Sequence, residues 1–353
     1  MVEYLWEVNQ LMSQNTHCSP RIYIKDKEIG FTSFNIHFPG GSQINSCSIQ
    51  INHLPDWSRF FNEEVKVYLN ENDGSPIFRG FVKQVVPSDT SVSITVQDPR
   101  YLLTGNDGLS INLNEEENYD GYTVSQFLID YIEKYVNIGK TYLATDFISD
   151  TTISTNMSEL RGNQPDIYGM ITNTLSIKID DTNIDNLSGY FIDVVDDGIN
   201  SQLIIQKEKS LSSSPSLILS QLDGIQKITY NRRMPPSYGI NYSIKGVAGI
   251  YQHGNMPYGR ITETGSANFN NPADATYASM INILKQQDDK EEISVDVTRG
   301  YNINVGSIVR LNVDDFDIRG NHRITSKRIT YNKNSLSCNI GLNRKLVTLK
   351  DYI

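Results

Sequence analysis

The chain has 353 residues, and its 31 Lys and Arg against 41 Asp and Glu give a formal charge of −10 at pH 7. That length predicts more than one folded unit, because a single core stops growing at about 250–300 residues. A hydrophobic share of 38% and a charged share of 20% are typical of neither a disordered chain nor a membrane protein. The acidic balance also argues against a surface that binds duplex DNA, which needs clustered Lys and Arg.

Composition, the N-terminal segment and the cysteines indicate the fold class and exclude several kinds of protein. The chain contains six alanines and several times as many isoleucines, and Ile favours strands where Ala favours helices, so a mainly β fold is expected. The first residues, MVEYLWEVNQ, lack the basic start and apolar core of a signal peptide. No stretch reaches the roughly 18 apolar residues of a membrane-spanning helix. Cys18, Cys47 and Cys338 lie far apart with no CxxC pair, which predicts neither a disulfide framework nor a zinc ribbon.

The first third of the chain reads as strands joined by turns. Expected strands are short pieces within 21–53, then 65–69, 77–85 and 91–96. The Asp73-Gly74 pair predicts a turn at 70–76. Gly80, inside a strand, predicts a bulge or a sharp bend.

The middle of the chain has a different character. The apolar spacing of residues 123–136 predicts a helix, with Thr123 and Gln126 at the spacing of a capping box. A second helix is expected at 166–177, a hairpin at 189–195 and 201–206 around Asp197-Gly198, and a linker at 211–216.

The last third returns to strands, at 225–232, 238–247 and several places between 291 and 340. Residues 253–271 are rich in Gly and Asn and are predicted to be a loop. Asn271 and Pro272 are typical of an N-cap and first helical position, which predicts a helix at 272–287.

Residues 65–96 and 307–340 resemble each other. Each has a strand ending in Leu-Asn (69–70 and 311–312), an acidic turn, a strand carrying Arg-Gly (79–80 and 319–320), and an alternating strand. The likeness is either a true repeat or a chance recurrence of short β motifs. A true repeat means two similar small β-barrels flanking an α/β middle region. The predicted domains are 1–104 and 217–353, each a tube-like β-barrel, the latter including helix 272–287, and the inserted α/β region 105–216.

Catalytic and ligand-binding motifs are weak throughout. Gly139-Lys140-Thr141 lacks the upstream Gly of a phosphate-binding loop, because position 134 is Lys. The acidic run at 180–185 lacks the Gly and the Glu of a calcium loop. The five histidines show no metal-ligand spacing. We therefore expect no catalytic residue, no cofactor and no metal, although the numerous carboxylates leave a glycosidase pair open.

Four segments, taken in order, resemble a known family. They are VKVYLNENDGSPIFRGFVKQV (65–85), TVSQFLIDYIEKY (123–135), GYFIDVVDDGINSQLIIQKE (189–208), and helix 272–287 with the strands that follow it. Their order is similar to that of the baseplate hub family of phage tails and related injection systems, which includes late control protein D and the N-terminal part of type VI secretion spikes.

The resemblance implies a concrete assembly. Such hubs are homotrimers in which two similar barrels per subunit give a ring with pseudo-sixfold symmetry, matching a hexameric tail tube on one face and a trimeric spike on the other. The implied partners are a tail tube protein, baseplate wedge proteins and a separate spike protein, since this chain ends just after its second barrel. The implied location is the tail baseplate of a virion assembled in the host cytoplasm. DNA would pass through an acidic channel without specific binding.

The resemblance also nominates interface residues, which are Arg79, Gly80, Phe81, Arg319 and Gly320. Two other function classes remain open. One is another tail component, either a hexameric tube-end adaptor with one barrel per chain or a receptor-binding module. The other is a carbohydrate-active enzyme with two buried carboxylates in one cleft.

Overall fold

The fold is described from a computed structural model. It describes residues 18–40, 43–52, 56–70, 73–104, 121–149, 166–169, 171, 190–207, 211–232, 239–244, 247–252, 262–269, 291–316, 318–332 and 335–343. The predicted helix 272–287 lies outside these residues. Of the predicted helix 166–177, residues 167–169 and 171 are helical, residue 166 is not, and the other residues lie outside the described part of the chain.

Seven strands form the first module. They are β1 (Arg21–Ile24), β2 (Lys27–Ile29), β3 (Ser33–Phe38), β4 (Ser46–Asn52), β5 (Glu64–Tyr68), β6 (Phe78–Pro87) and β7 (Ser91–Gln97). Their side chains alternate between core and surface, as in β7, where Val92, Ile94 and Val96 are fully buried. Short 3-10 turns lie at Trp57–Phe60 and Pro99–Leu103. The strands predicted at 65–69, 77–85 and 91–96 are confirmed.

The described part of the insertion contains a helix, a few helical residues at 167–169 and 171, and a hairpin. Helix α1 (Val124–Tyr131) begins with the predicted capping box, in which Thr123 accepts from the Gln126 backbone and Gln126 accepts from the Thr123 backbone. The helix ends five residues earlier than predicted and continues as a π-helical turn, Ile132–Val136. Strands β8 (Tyr190–Asp196) and β9 (Ser201–Lys207) pair around Gly198, whose φ of 93° suits glycine, so the predicted hairpin is confirmed.

Six later strands form the second module. They are β10 (Leu217–Ser220), β11 (Ile225–Arg232), β15 (Glu291–Val297), β16 (Ile308–Val313), β17 (Ile318–Asn332) and β18 (Ser335–Asn343). A separate three-stranded sheet contains β12 (Gly239–Ile244), β13 (Val247–Gln252) and β14 (Thr262–Phe269). The prediction of a loop over 253–271 is wrong at β14, which pairs in parallel with β12. The strand predicted at 238–247 corresponds to β12, which pairs with β13 beginning at Val247.

Both modules belong to one sheet. The strand order is β11-β15-β18-β17-β3-β4-β7-β6-β5-β1-β2, with β16 pairing β17 and β10 pairing β16. A single apolar cluster contains residues of both modules, while a second cluster packs α1 and the β8–β9 hairpin against the end of the first module. The prediction of a mainly β fold is confirmed; the closed barrels and the domain boundaries stay predictions. Within the described residues, no helix is long and apolar enough to cross a bilayer.

The second module repeats the strand pairing of the first. Strands β3, β4, β5, β6 and β7 correspond in order to β11, β15, β16, β17 and β18. Matched pairs are Val65–Gly80 with Val309–His322, Val82–Val96 with Ile324–Leu342, Ile49–Ile94 with Val295–Ile340, and Phe34–Ile49 with Ile228–Val295. The register shifts directly after Val82 in one module and directly after Ile324 in the other.

The turn before the matched β5 and β16 strands supports the same alignment. Asn62 and Gly306 both have left-handed backbones, with φ of 59° and 84°. Each donates its backbone N–H to the matched carbonyl, Asn62 to Val82 at 3.1 Å and Gly306 to Ile324 at 2.8 Å. The modules differ in the strand beside this pair, because β1 runs antiparallel to β5 whereas β10 runs parallel to β16.

Candidate assembly surfaces

The two modules meet at the antiparallel pair formed by β17 and β3. Ile329 lies opposite Ile36, and both side chains are fully buried. Lys327 lies opposite Phe38, with its Nζ 4.4 Å from the centre of the aromatic ring. This ammonium donates to the carbonyls of Tyr301 at 3.1 Å and Ile303 at 2.9 Å. Burial disfavours the charged form and lowers the pKa of Lys327 to about 8.

Arg79, one of the predicted interface residues, anchors the tip of the inserted hairpin. Its Nε pairs with the Asp196 carboxylate, and its Nη1 donates to the Ile199 carbonyl at 2.8 Å. The side chain is 9% exposed. Burial raises the pKa of Asp196, and the Arg79 guanidinium opposes that rise. Arg79 thus engages its own chain, and its place at a subunit interface stays a prediction.

Gly80 and Phe81 are also engaged inside the molecule. A Cβ on Gly80 would overlap the Gln97 carbonyl oxygen, so the glycine permits a close backbone approach. The predicted irregularity falls just beyond it, between Val82 and Gln84. Phe81 is buried against the rings of Tyr101 and Tyr142, with centroid distances of 6.1 and 5.7 Å. It links the first module to the core of the insertion.

Arg319 and Gly320 do not occupy the positions of Arg79 and Gly80. Arg319 is exposed and donates to Asp314 at 2.8 Å, and Gly320 has a φ of 114°. The pairing places Asn321, two residues beyond Arg319, at the position of Arg79. The sequence likeness was therefore aligned two residues out of register.

Asn321 nevertheless performs a job that matches its position. Its Nδ2 donates to the carbonyls of Leu211 at 2.7 Å and Ser213 at 3.2 Å, in the segment predicted to be a linker. Matched positions in the two modules thus bind backbone carbonyls of the inserted region, Arg79 at the hairpin tip and Asn321 in the linker. This symmetry positions the inserted region against both modules.

Arg100 is a structural residue that the sequence did not single out. Its guanidinium is 1% exposed and lies 2.6 Å from Asp98 and 3.3 Å from Asp193. It also donates to the Tyr168 hydroxyl at 3.1 Å and to the Ile192 carbonyl at 3.3 Å. Burial alone would lower the pKa of Arg100, but Asp98, Tyr168 and Asp193 raise it above its ordinary value. The sequence Asp98-Pro99-Arg100 is typical of an ordinary turn, so no local pattern predicts the buried ion pairs of Arg100.

A cavity of about 340 Å³ lies between the hairpin, β6 and the module junction. Its lining includes Asp193, Asp196 and Lys327. Asp193 accepts from the Asn45 side chain at 3.0 Å, and Asp196 pairs with Arg79, so both carboxylates are engaged by neighbouring side chains. Among the described residues, no three His, Cys, Asp or Glu side chains cluster as metal ligands would.

Comparison with known proteins places the fold. No protein-family model matches the chain, and no curated protein matches it. It is similar to a tail protein from Neisseria meningitidis MC58, with 11% identity and a TM-score of 0.67 over 95% of this chain and 98% of the other. It is also similar to the 43 kDa tail protein of prophage MuSo2 from Shewanella oneidensis, with 10% identity and a TM-score of 0.67 over 92% and 96%.

A third similar structure is an E. coli component of the type VI secretion system, described as resembling bacteriophage T4 tail proteins gp27 and gp5. It has 11% identity and a TM-score of 0.56 over 91% of this chain and 76% of the other. At such low identity these likenesses establish the fold, which is that of solved phage tail and type VI secretion proteins.

Proposed function

We propose that this chain is a structural, non-catalytic baseplate hub of a phage tail or a related injection machine. Three copies form a ring that adapts a hexameric tail tube to a trimeric spike and lines the central channel. The spike is a separate protein, and wedge proteins surround the ring in the tail baseplate. The proposed location is the virion, after assembly in the host cytoplasm.

The observation that carries this proposal is the repeated module. A hub between sixfold and threefold parts must present almost the same shape twice within each 120° of rotation. One chain with two modules of matched pairing meets that requirement, because three chains then supply six modules. A hexameric tube-end adaptor needs only one such module per chain, so the duplication favours the trimeric hub over that alternative.

The similar structures support the same role. Solved tail proteins and a type VI secretion component share this fold over more than nine-tenths of the chain. The formal charge of −10 suits a channel through which DNA passes without specific binding, because like charges keep phosphates from adhering. We expect the lumen of the assembled ring to be negative.

The test is the mass and shape of the purified full-length protein. Native mass spectrometry gives the copy number, and electron-microscopy class averages give the outline. We expect three copies in a ring with an axial opening and six similar lobes. An obligate monomer, or a compact trimer without an opening, would contradict the proposal, and a positive lumen in a reconstruction would contradict the DNA-channel role.

A further inference from the structure

The junction formed by β17 and β3 has counterparts elsewhere on the same molecule that no described strand fills. Strand β17 pairs β16 along Ile318–Arg323 and β3 along Lys327–Asn332. Its counterpart β6 pairs β5 along Phe78–Phe81. Among the strands that the structure describes, none takes the place of β3 beside the second half of β6. Likewise β11, the counterpart of β3, stands at the end of the described sheet.

The surfaces that the internal junction covers are more exposed at these counterparts. Phe34 of β3 is fully buried, whereas its counterpart Ile228 of β11 is only half-buried. Ile329 of β17 is fully buried, whereas its counterpart Pro87 of β6 is exposed. Next to it, Val86 is 49% exposed. Pro87 and Ile228 therefore present apolar surface at the positions that Ile329 and Phe34 bury in the internal junction, whereas Val86 corresponds to Arg328, which is exposed there.

We propose that β11 of one copy adds, antiparallel, to the second half of β6 in the next copy. The register follows from the internal junction, in which Arg328 lies opposite His37. The counterpart of Arg328 is Val86 and that of His37 is Asn231, so Val86 lies opposite Asn231 of the neighbouring copy. This interface rests on the proposed hub function, whose ring it would close.

The proposed contact joins different surfaces of two copies, so it propagates around a ring. Every module then contacts its neighbours through the same strand pair, alternately within and between chains. Pro87 at the exposed edge has no N–H to donate, which restricts the edge to a short ladder and discourages indiscriminate strand addition. The interface therefore depends on the apolar side chains of both strands and on closure of the ring.

Disulfide trapping tests the register. The full-length Cys18→Ser protein is the background, since Cys47 and Cys338 are buried. The double substitution Val86→Cys with Asn231→Cys should, on mild oxidation, convert the monomer band to linked dimers and trimers on non-reducing gels. Six strands separate β6 from β11 in the sheet order, so within one chain the two substituted positions are not on neighbouring strands.

Two matched pairs serve as controls. His37→Cys with Arg328→Cys places thiols in the same register inside one chain and should give an internal bridge, detected by peptide mass. Val86→Cys with Lys227→Cys shifts the second thiol by four residues, about 13 Å along the strand at about 3.3 Å per residue, and should leave the monomer band.

The outcomes separate this interface from the hub itself. Linked trimers with Asn231→Cys but not with Lys227→Cys support the proposed register. Equal linking by both partners overturns the register. A trimer by native mass that never links through Val86, while the internal control bridges, overturns the interface and leaves the hub. A protein that is monomeric by native mass overturns both.

Discussion

Removing the Arg100 guanidinium should cost more stability than removing a partner from an exposed ion pair, because Arg100 joins the end of the first module to the inserted hairpin. Arg100→Ala would leave the buried carboxylates of Asp98 and Asp193 without their shared cation and would leave the Ile192 carbonyl without that donor. Breaking a buried ion pair from one side costs about 3–5 kcal/mol of the free energy of unfolding. Arg319→Ala is the matched control, since its pair with Asp314 is exposed and should contribute about 0–1 kcal/mol.

The deficit of Arg100→Ala should also depend on pH. Burial raises the pKa of Asp193, and the largest opposing influence is Arg100. Without Arg100 the pKa rises further above its unfolded value of about 3.9, and a carboxyl with a raised folded pKa loses stability as pH increases. The free energy of unfolding, measured by urea titration with circular dichroism, should therefore fall further below wild type at pH 7.5 than at pH 4.5. Equal losses in Arg100→Ala and Arg319→Ala, or a deficit independent of pH, would refute this reasoning.

Three further substitutions test the other contacts. Gly80→Ala should lower the free energy of unfolding by about 1–3 kcal/mol, because the added Cβ overlaps the Gln97 carbonyl. The control Gly30→Ala places a Cβ that meets nothing within 4 Å and should have little effect. Similar losses of stability at both sites would contradict the close approach at Gly80. Arg79→Met should raise hydrogen exchange at Gly198–Asn200, with Arg319→Met as the control, and unchanged exchange would show that the hairpin tip is held by other contacts. Lys327→Met should be most stable relative to wild type below pH 8. The pKa of the wild-type lysine is lowered to about 8, so its charged form costs about 3 kcal/mol of the free energy of unfolding, and this cost disappears as pH rises from 8 to 10.5. In parallel urea titrations, the free energy of unfolding of wild type should rise relative to that of the variant between pH 8 and 10.5. A difference between the two proteins that does not change with pH would contradict the burial argument.

Local patterns predicted the parts of the fold that local chemistry decides. The capping box of Thr123 and Gln126 and the Asp197-Gly198 hairpin follow from backbone hydrogen bonding within a few residues, so a sequence suffices to find them. Strand β14 was missed because TETGSANF has no strong strand residues besides its threonines and final Phe. It forms by pairing in parallel with β12, a partner that local propensity does not reveal.

The repeat shows where sequence matching fails. Leu-Asn and Arg-Gly recur in both modules, yet the pairing matches Arg79 with Asn321 and Gly80 with His322. A strand tolerates such a shift of two residues in a sequence comparison because each face keeps its character. Only the cross-strand partners and the left-handed turn at Asn62 and Gly306 fix the true alignment. Arg100 was missed because its partners lie as far as 93 residues away along the chain, from Asp193 back to Arg100.

The matched positions of Arg79 and Asn321 explain how the chain can contain an insertion while the two modules keep the same strand pairing. Arg79 and Asn321 project from the same point of equivalent strands, and each binds backbone carbonyls, although Arg79 also pairs with the Asp196 carboxylate. A contact with carbonyls constrains the path of the bound segment but leaves its sequence free to vary. The inserted region is therefore held at one corresponding position on each module, and on the first module it also packs through Phe81 and Arg100. The strand edges that would join one copy to the next remain uncovered by the described hairpin, as a ring of alternating modules requires.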